Sequence, residues 1–500
     1  MLGIPLSTTR TGRVVLIATV LGSGMVFLDG TVVNLALPSL QNAFSANITV
    51  VQWVVEAYAL TLASLLLVGG SLGDRYGRRK IYVYGILLFA ISSLACGLAT
   101  NTVWLIMARA IQGIGGALLV PGSLALITAT FSEDARGRAI GTWSGFSAVT
   151  TALGPIAGGW LIEHLSWRWV FFLNLPLALA VLVLCINVPE VRDETANGPL
   201  DLPGAALTTI GLSCVTYALI EWPARSHHIT LVSVALCGCL ALGMLGVVEH
   251  RAESPMIPFS LFRSREFAGA NLLTFFVYAP LGALLFFTPL DLIQVQHYSA
   301  TEAGAAFSPF VVIMLLLSRW AGRLVERYGA RLPLTIGPFI TVAGYVFFAI
   351  ASQDGDYWTS FFPGVITMSL GMTITVAPLS TTVMNAVPQS HAGIASGINN
   401  GVSRLASLVA IALFGTLLVW TFSRTLDCRL AMLNLSTEEV HQIQANRLQL
   451  AAIAATNARA KQAIALSFIH AYRAVLWIAA GSAFLGAMTG TFLIRPRSQR

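Results

Sequence analysis

Apolar residues run through this chain in blocks of about 20, each long enough to cross the hydrocarbon of a bilayer as a helix. About fourteen such runs stand out, at 13–37, 50–72, 81–99, 103–127, 138–161, 168–188, 203–221, 229–248, 267–290, 303–320, 332–351, 357–380, 394–420 and 471–494. None alternates polar with apolar positions as a barrel strand would, so helices are the predicted spanning elements. The pattern therefore predicts an all-α integral membrane protein. Most connections are short. The longest polar stretch, about 421–470, separates the last two runs. There Ser436 and Glu439, in "STEE", have the spacing of a capping box and predict a helix through 440–465. A solvated surface helix is the plain reading of that stretch, and an external lid is the alternative.

The pattern also repeats. "GSLGDRYGRRK" at 70–80 returns as "GRLVERYGARL" at 322–332, and "GRAIGTWSG" at 137–145 as "GIASGINNG" at 393–401. Two matches at nearly one separation indicate two related bundles of about six spans in the same orientation, a plan common among transporters. This divides the chain into a first bundle at 13–190, a two-span insert at 200–250 and a second bundle at 260–494.

Composition and charge then narrow the class. Hydrophobic residues make up 56% and charged residues 10% of the 500, whereas a soluble domain carries about 25% charge. The net charge of +7 comes from basic residues that punctuate the gaps between runs rather than forming a patch, so no nucleic acid is expected. With the amino terminus cytoplasmic, nineteen of the 29 Lys and Arg fall in cytoplasmic segments and eight in external ones. Six of those eight lie in the long external stretch, so the short loops follow the positive-inside rule and both termini are placed in the cytoplasm. The six cysteines read as small apolar fillers. No phosphate-binding loop and no metal-ligand spacing is present, which argues against an enzyme and against any resident cofactor or metal.

Four segments carry a resemblance. "FLDGTVVNLALPSL" (27–40), "GGSLGDRYGRRK" (69–80), "ARAIQGIGGALLVPGSLALI" (108–127) and "GTWSGFSAVTTALGPIAGGWL" (141–161) resemble motifs of the major facilitator superfamily, specifically its fourteen-span drug/proton antiporters. The resemblance covers essentially the whole chain. It implies the major facilitator fold, a bacterial inner-membrane location, and export of lipophilic drugs or toxic compounds, cationic ones among them, in exchange for protons. The proton gradient would be the driving force and the lipid bilayer the surroundings. The alternative is proton-coupled transport of a specific metabolite, by export or by symport uptake.

Candidate chemistry follows from charges placed inside spans, where an ionisable group costs at least about 2.5 kcal/mol. At 1.5 Å per residue, Asp29 lies roughly 12 Å from the outer end of the first span, and Glu56 and Arg109 each roughly 9 Å from the outer ends of theirs. Two acids and one base leave a deficit of one positive charge, which a proton or a cationic substrate could fill. The alternative is a structural network, with Arg109 neutralising one acid and the other facing external water.

The loop after the second span offers Gly70, Gly73, Asp74, Arg75, Gly77, Arg78 and Arg79 as a cytoplasmic gate, with Glu326 and Arg327 as its counterpart. Asp74 is the acid expected to latch onto a helix N-terminus or onto an arginine of the opposite bundle. In the fifth span, Gly141, Gly145, Gly154, Pro155, Gly158 and Gly159 predict a thin, bendable helix able to pack closely against a span of the other half. Static packing is the alternative. Asn399, Asn400 and Arg404 are candidates for a substrate cavity or for bonds between helices, with Arg404 about 15 Å from the cytoplasmic face.

Overall fold

The computed structural model describes residues 10–192, 201–225, 228–252, 258–351, 356–387, 392–433 and 435–495; the side chain of Glu326 and the surroundings of Gly145 lie outside the described residues. Among those described, every regular element is helical. The first five apolar runs form α1 (Arg10–Phe44), α2 (Ile48–Tyr76), α3 (Arg78–Gly97), α4 (Thr102–Thr130) and α5 (Glu133–His164). The sixth is divided between α6 (Trp169–Phe172) and α7 (Asn174–Cys185), and the middle pair forms α8 (Leu202–Glu221) and α9 (His228–Arg251). There follow α10 (Arg265–Leu290), α11 (Ala300–Ala305), α12 (Ser308–Tyr328), α13 (Arg331–Ile350), α14 (Tyr357–Ser360) and α15 (Phe362–Asn385). The chain closes with α16 (Ala392–Leu430), α17 (Thr437–Ala445) and α18 (Ala458–Leu493).

All fourteen runs thus fall on helix. Twelve are both long and apolar enough to cross a membrane. The other two are α5, whose 32 residues are diluted by glycines and polar positions, and the shorter stretch Trp169–Cys185. Large apolar side chains such as Ile91, Leu179, Leu240 and Leu316 stand exposed, as expected where the solvent is lipid. Polar side chains start several helices: Asn101 accepts from the Trp104 amide at 2.8 Å, Ser264 from Phe267 at 3.3 Å and Asn457 from Arg459 at 2.9 Å.

Two compact units emerge. The first comprises Met1–Ala36, Trp53–Val215 and Leu236–Pro258; the second comprises Leu37–Gln52, Thr216–Ala235 and Phe259–Arg500. The boundary runs through α1, α2, α8 and α9. In the first unit α3 packs along α4, and a buried core built on Met25, Leu62, Tyr82, Phe89 and Leu119 joins α1, α2, α3 and α4. A Cβ on Gly115 of α4 would lie 2.7 Å from the Phe89 amide nitrogen of α3, so the two backbones meet at a distance only glycine permits. In the second unit α13 packs on α15 and α18, and α10 on α16 and α18.

The internal repeat reappears in the backbone. Gly77, between α2 and α3, has φ 111°, and Gly329, between α12 and α13, has φ 76°; among the described residues these are the glycines in the positive-φ region. Each donates its amide to the carbonyl four residues back, Gly73 at 3.0 Å and Val325 at 2.9 Å. The preceding arginine lies over its neighbouring tyrosine ring in both copies, Arg75 on Tyr76 at 5.7 Å and Arg327 on Tyr328 at 5.2 Å. Glycine recurs here because side-chain-bearing residues resist that conformation.

The long polar stretch before the last apolar run departs from expectation. No single helix runs from 440 to 465. α17 ends at Ala445, a 3-10 turn covers Arg447–Ala452 with Leu450 at φ 57°, and α18 begins at Ala458, well before its apolar run. Asn446 and Asn457 are the cause, one closing α17 and the other capping α18, because asparagine favours helix ends over interiors. With 39 and 36 residues, α16 and α18 are roughly 58 and 54 Å long, well beyond a hydrocarbon core of about 30 Å.

Candidate functional site

The polar cluster lies in the first unit, where five of its helices each place a side chain in an otherwise apolar interior. Asp29 (α1) is fully buried and Arg109 (α4) is 1% exposed, and their ion pair closes at 2.5 Å through Nη1 and Oδ2. Arg109 also donates from Nη1 to Gln112 Oε1 at 2.7 Å and from Nε to the Val54 carbonyl of α2 at 3.1 Å. Its guanidinium lies 4.1 Å from the centre of the Tyr58 ring. The second oxygen of Asp29 accepts from Gln112 Nε2 at 2.9 Å and from Asn174 Nδ2 of α7 at 3.0 Å. Asn174 in turn donates to Ser93 Oγ of α3 at 3.0 Å, and Ser93 donates to the Phe171 carbonyl at 2.8 Å. The pair is therefore satisfied on both sides, which is what makes a buried ion pair tolerable.

Glu56 (α2) is different. It is fully buried, and neither carboxylate oxygen has a hydrogen-bond partner. The expectation that one acid is neutralised by Arg109 holds for Asp29. The alternative that the other acid faces external water does not hold, because nothing of Glu56 reaches solvent. Two buried acids on neighbouring helices thus stand in opposite conditions: one carries its charge in a closed network, and the other has nothing to balance a charge. An unpaired buried carboxylate costs several kcal/mol.

The fifth-span glycines meet α1. A Cβ on Gly158 would lie 2.6 Å from Val32 Cγ1, and one on Gly154 would overlap the Thr31 hydroxyl. Thr31 Oγ1 also donates to the Thr151 carbonyl at 3.3 Å. Within their own unit Gly154 and Gly158 thus let α5 approach α1 closely. Pro155 lies inside α5, Gly159 is buried, and Gly141 has open space around it.

In the gate loop, Asp74 accepts from Arg78 Nε of the same loop at 2.8 Å, and Arg78 also donates to the Ala125 carbonyl at 3.3 Å. Gly70 and Gly73 lie on the last turns of α2. The acid on the N-terminus of α3 is Glu190, whose two oxygens accept from the Arg79 and Lys80 amides at 3.1 Å each. This acid lies more than a hundred positions further along than the loop, and the loop motif gives no means of finding it.

In the second unit, Asn399 (α16) donates to Thr274 Oγ1 at 2.6 Å and Asn271 Oδ1 at 3.2 Å on α10, so it bonds between helices. Asn400 is exposed and donates to the Ser396 carbonyl one turn back, and Arg404 is half-buried. The residues that sequence reading missed are Gln112, Asn174, Ser93, Tyr58 and Glu190. Gln112 carried a usable signal, being one helical turn from Arg109, and so did Asn174, a lone amide within "FFLNLPLAL".

Comparison with known proteins is consistent with this geometry. Residues 19–411 match the family model described as Major Facilitator Superfamily. The chain is 33% identical over 423 residues to the multidrug resistance protein Stp of Mycobacterium tuberculosis, covering 84% of this chain and 78% of that protein. It is 31% identical over 407 residues to the tetracenomycin C resistance and export protein of Streptomyces glaucescens, covering 81% and 75%. Among solved structures, an inward-facing, unoccupied bacterial homologue of the human lysosomal transporter Spinster aligns with a TM-score of 0.69 at 18% identity, covering 98% of this chain and all of the other. A D-xylose–proton symporter aligns at 0.63 with 14% identity, covering 97% and 99%.

Proposed function

The chain belongs to the Major Facilitator Superfamily and is a transporter, not an enzyme; from that premise we propose that it exports lipophilic, drug-like molecules in exchange for protons, with Glu56 as the group that gives up and takes back the proton. Resistance and export relatives support the direction and the substrate class. The site lies in the membrane of a bacterial cell, with both termini cytoplasmic and the outer ends of α1, α2 and α4 toward the exterior. Cycling runs by alternating access. No resident cofactor takes part.

The observation that carries the reading is the contrast between the two acids. Asp29 is bound by Arg109, Gln112 and Asn174. Glu56, buried and unpartnered, is stable here only in its neutral form. When the site opens, hydration or a cationic substrate stabilises the charged form and the proton leaves. In the closed state a proton must be taken up again. The test is Glu56→Gln in everted membrane vesicles, where glutamine reproduces the shape of the protonated acid. Substrate-driven proton release is expected to disappear and gradient-driven transport to fall at least tenfold, while gradient-free exchange of substrate persists. Full gradient-driven transport by Glu56→Gln would refute the assignment.

A further inference from the structure

The second unit contains a cavity that none of the residues discussed so far explains. It has a volume of about 640 Å³, within the range of sites for drug-sized molecules. Three pieces of chain enclose it: α17 with the irregular segment after it, the first turns of α18, and the turn Asp291–Val295 that ends α10 in a π-helix. Most of the wall is apolar, including Val295, Ile443, Ile453 and Ile464, with Glu439 and Lys461 as its charged groups and His297 beside them. Single-turn π-helices often mark functional sites.

Glu439 shows that the cavity is more than a packing defect. This unit contains two copies of the capping-box signature, and they behave differently. At α11 the box is complete: the Glu302 amide donates to Ser299 Oγ at 3.1 Å, and the Ser299 amide donates to Glu302 Oε2 at 2.8 Å. At α17 only half of it forms. The Glu439 amide donates to Ser436 Oγ at 3.2 Å, but the Glu439 carboxylate does not return to the cap. It lines the cavity instead, with Oε1 buried and without a hydrogen-bond partner, and it makes no ion pair with Lys461. A local rule satisfied in one copy and broken in the other, at the cost of an unsatisfied oxygen, identifies a site under a second demand.

A smaller cavity of about 260 Å³ adjoins the first through the shared residues Val295 and Ala465. Asp291 and Arg473 line it without pairing, beside Phe348 and Phe361. Asp291 accepts from Gln296 Nε2 at 2.5 Å, and Arg473 donates to the Ala351 carbonyl at 2.6 Å. The nearby Tyr298 phenol is held above its ordinary range by partial burial and by the carboxylates of Asp356, Glu302 and Asp291.

We propose that the 640 Å³ cavity is a second binding site for an amphiphilic organic molecule that carries an amine and a separate oxygen acceptor. The amine meets Glu439, the acceptor meets Lys461, and the apolar body fills the space among Ile443, Ile453 and Ile464. The site rests on the export reading only for its side of the membrane: on that topology it faces outward and holds cargo after it leaves the buried site. The segment after α17 is then a lid with an occupant.

The test is equilibrium binding to the full-length protein in lipid nanodiscs. Dansylcadaverine supplies a primary ammonium, sulfonyl oxygens and an apolar ring whose emission reports its surroundings; N-hexyl dansylamide is the same dye without the amine. Saturable binding of dansylcadaverine by the wild type is expected. Glu439→Gln weakens it about tenfold and leaves N-hexyl dansylamide unchanged. Ala465→Trp, which fills the wall between the two cavities, weakens both dyes. Ser436→Ala removes the cap of α17 and changes either affinity less than twofold, which separates the cavity from helix stability. Absence of saturable binding, equal affinity in Glu439→Gln, or equal loss of both dyes in that variant each overturns the proposal. The readout needs no transport: efflux lost with Glu439-dependent binding intact strikes the export reading alone, and efflux intact with Glu439-independent binding strikes the cavity alone.

Discussion

Replacing Asp29 with asparagine preserves its shape and removes its charge, leaving Arg109 buried without a counter-ion. Removing one partner of a buried pair costs about 3–5 kcal/mol. Two features of this site lower that figure. The Tyr58 ring under the guanidinium can return about 1–2 kcal/mol to a desolvated cation. The Val54 carbonyl and Gln112 Oε1 continue to accept from Arg109. Asp29→Asn is therefore expected to destabilise the protein by about 2–4 kcal/mol. Arg109→Gln should cost a similar amount by stranding Asp29, and the double variant less than the two single costs combined. Cys96 provides the assay, since it is fully buried and its sulfur lies 3.7 Å from Gln112 Oε1. With the half-buried Cys214 and the exposed Cys237, Cys239 and Cys428 changed to serine, a fluorogenic maleimide reports the buried Cys96 and Cys185 as the protein unfolds with heat or denaturant. If Asp29→Asn falls within about 0.5 kcal/mol of the wild type, or if the double variant costs the full sum of the singles, the pair is not a coupled buried network and the contrast with Glu56 loses its foundation.

Other outcomes follow from the same geometry. Gly77→Ala forces a side chain into φ 111° and sets its Cβ 2.6 Å from Glu190 Oε1, so a loss of about 1–3 kcal/mol is expected in the same thiol assay. Gly329→Ala, strained in the same way at φ 76°, should behave like it, and a neutral result at both positions would refute the reading of the repeat as two constrained joints. Gly154→Val drives a branched side chain into Thr31 and should cost about 1–3 kcal/mol, with transport reduced further than stability alone explains if α5 must slide on α1. A wild-type melting curve for Gly154→Val would show that the α1–α5 contact is loose.

The spans were legible because lipid imposes one rule at every position: a helix crossing a bilayer must be apolar over its length, and the residues announce it. The acids and the arginine were legible for the complementary reason, since a charge inside such a run needs an explanation. What sequence hid was which acid Arg109 would choose. Asp29 and Glu56 are both one charge on one helix, and only the packing of α4 and α7 brings Gln112 and Asn174 to the first and nothing to the second. Glu190 and Glu439 were hidden differently. Each acts through a partner distant along the chain, or by declining a local partner that its spacing offers, and no window of sequence contains that choice. The end of α17 at Asn446 shows the reverse case, a local signal that was available and that the longer polar pattern obscured.

The solitary state of Glu56 also bears on electrical behaviour. Asp29 and Arg109 pair with each other, and Glu56 is the acid of this cluster whose oxygens have no hydrogen-bond partner. On the proposed cycle, swapping one proton for a monovalent cationic cargo moves no net charge, so voltage adds nothing and the pH gradient does all the work. An uncharged cargo instead leaves one elementary charge to cross inward, worth about 2.3 kcal/mol per 100 mV. Collapsing the potential with a potassium diffusion gradient, at constant pH difference, should therefore slow the efflux of neutral compounds and spare that of monovalent cations.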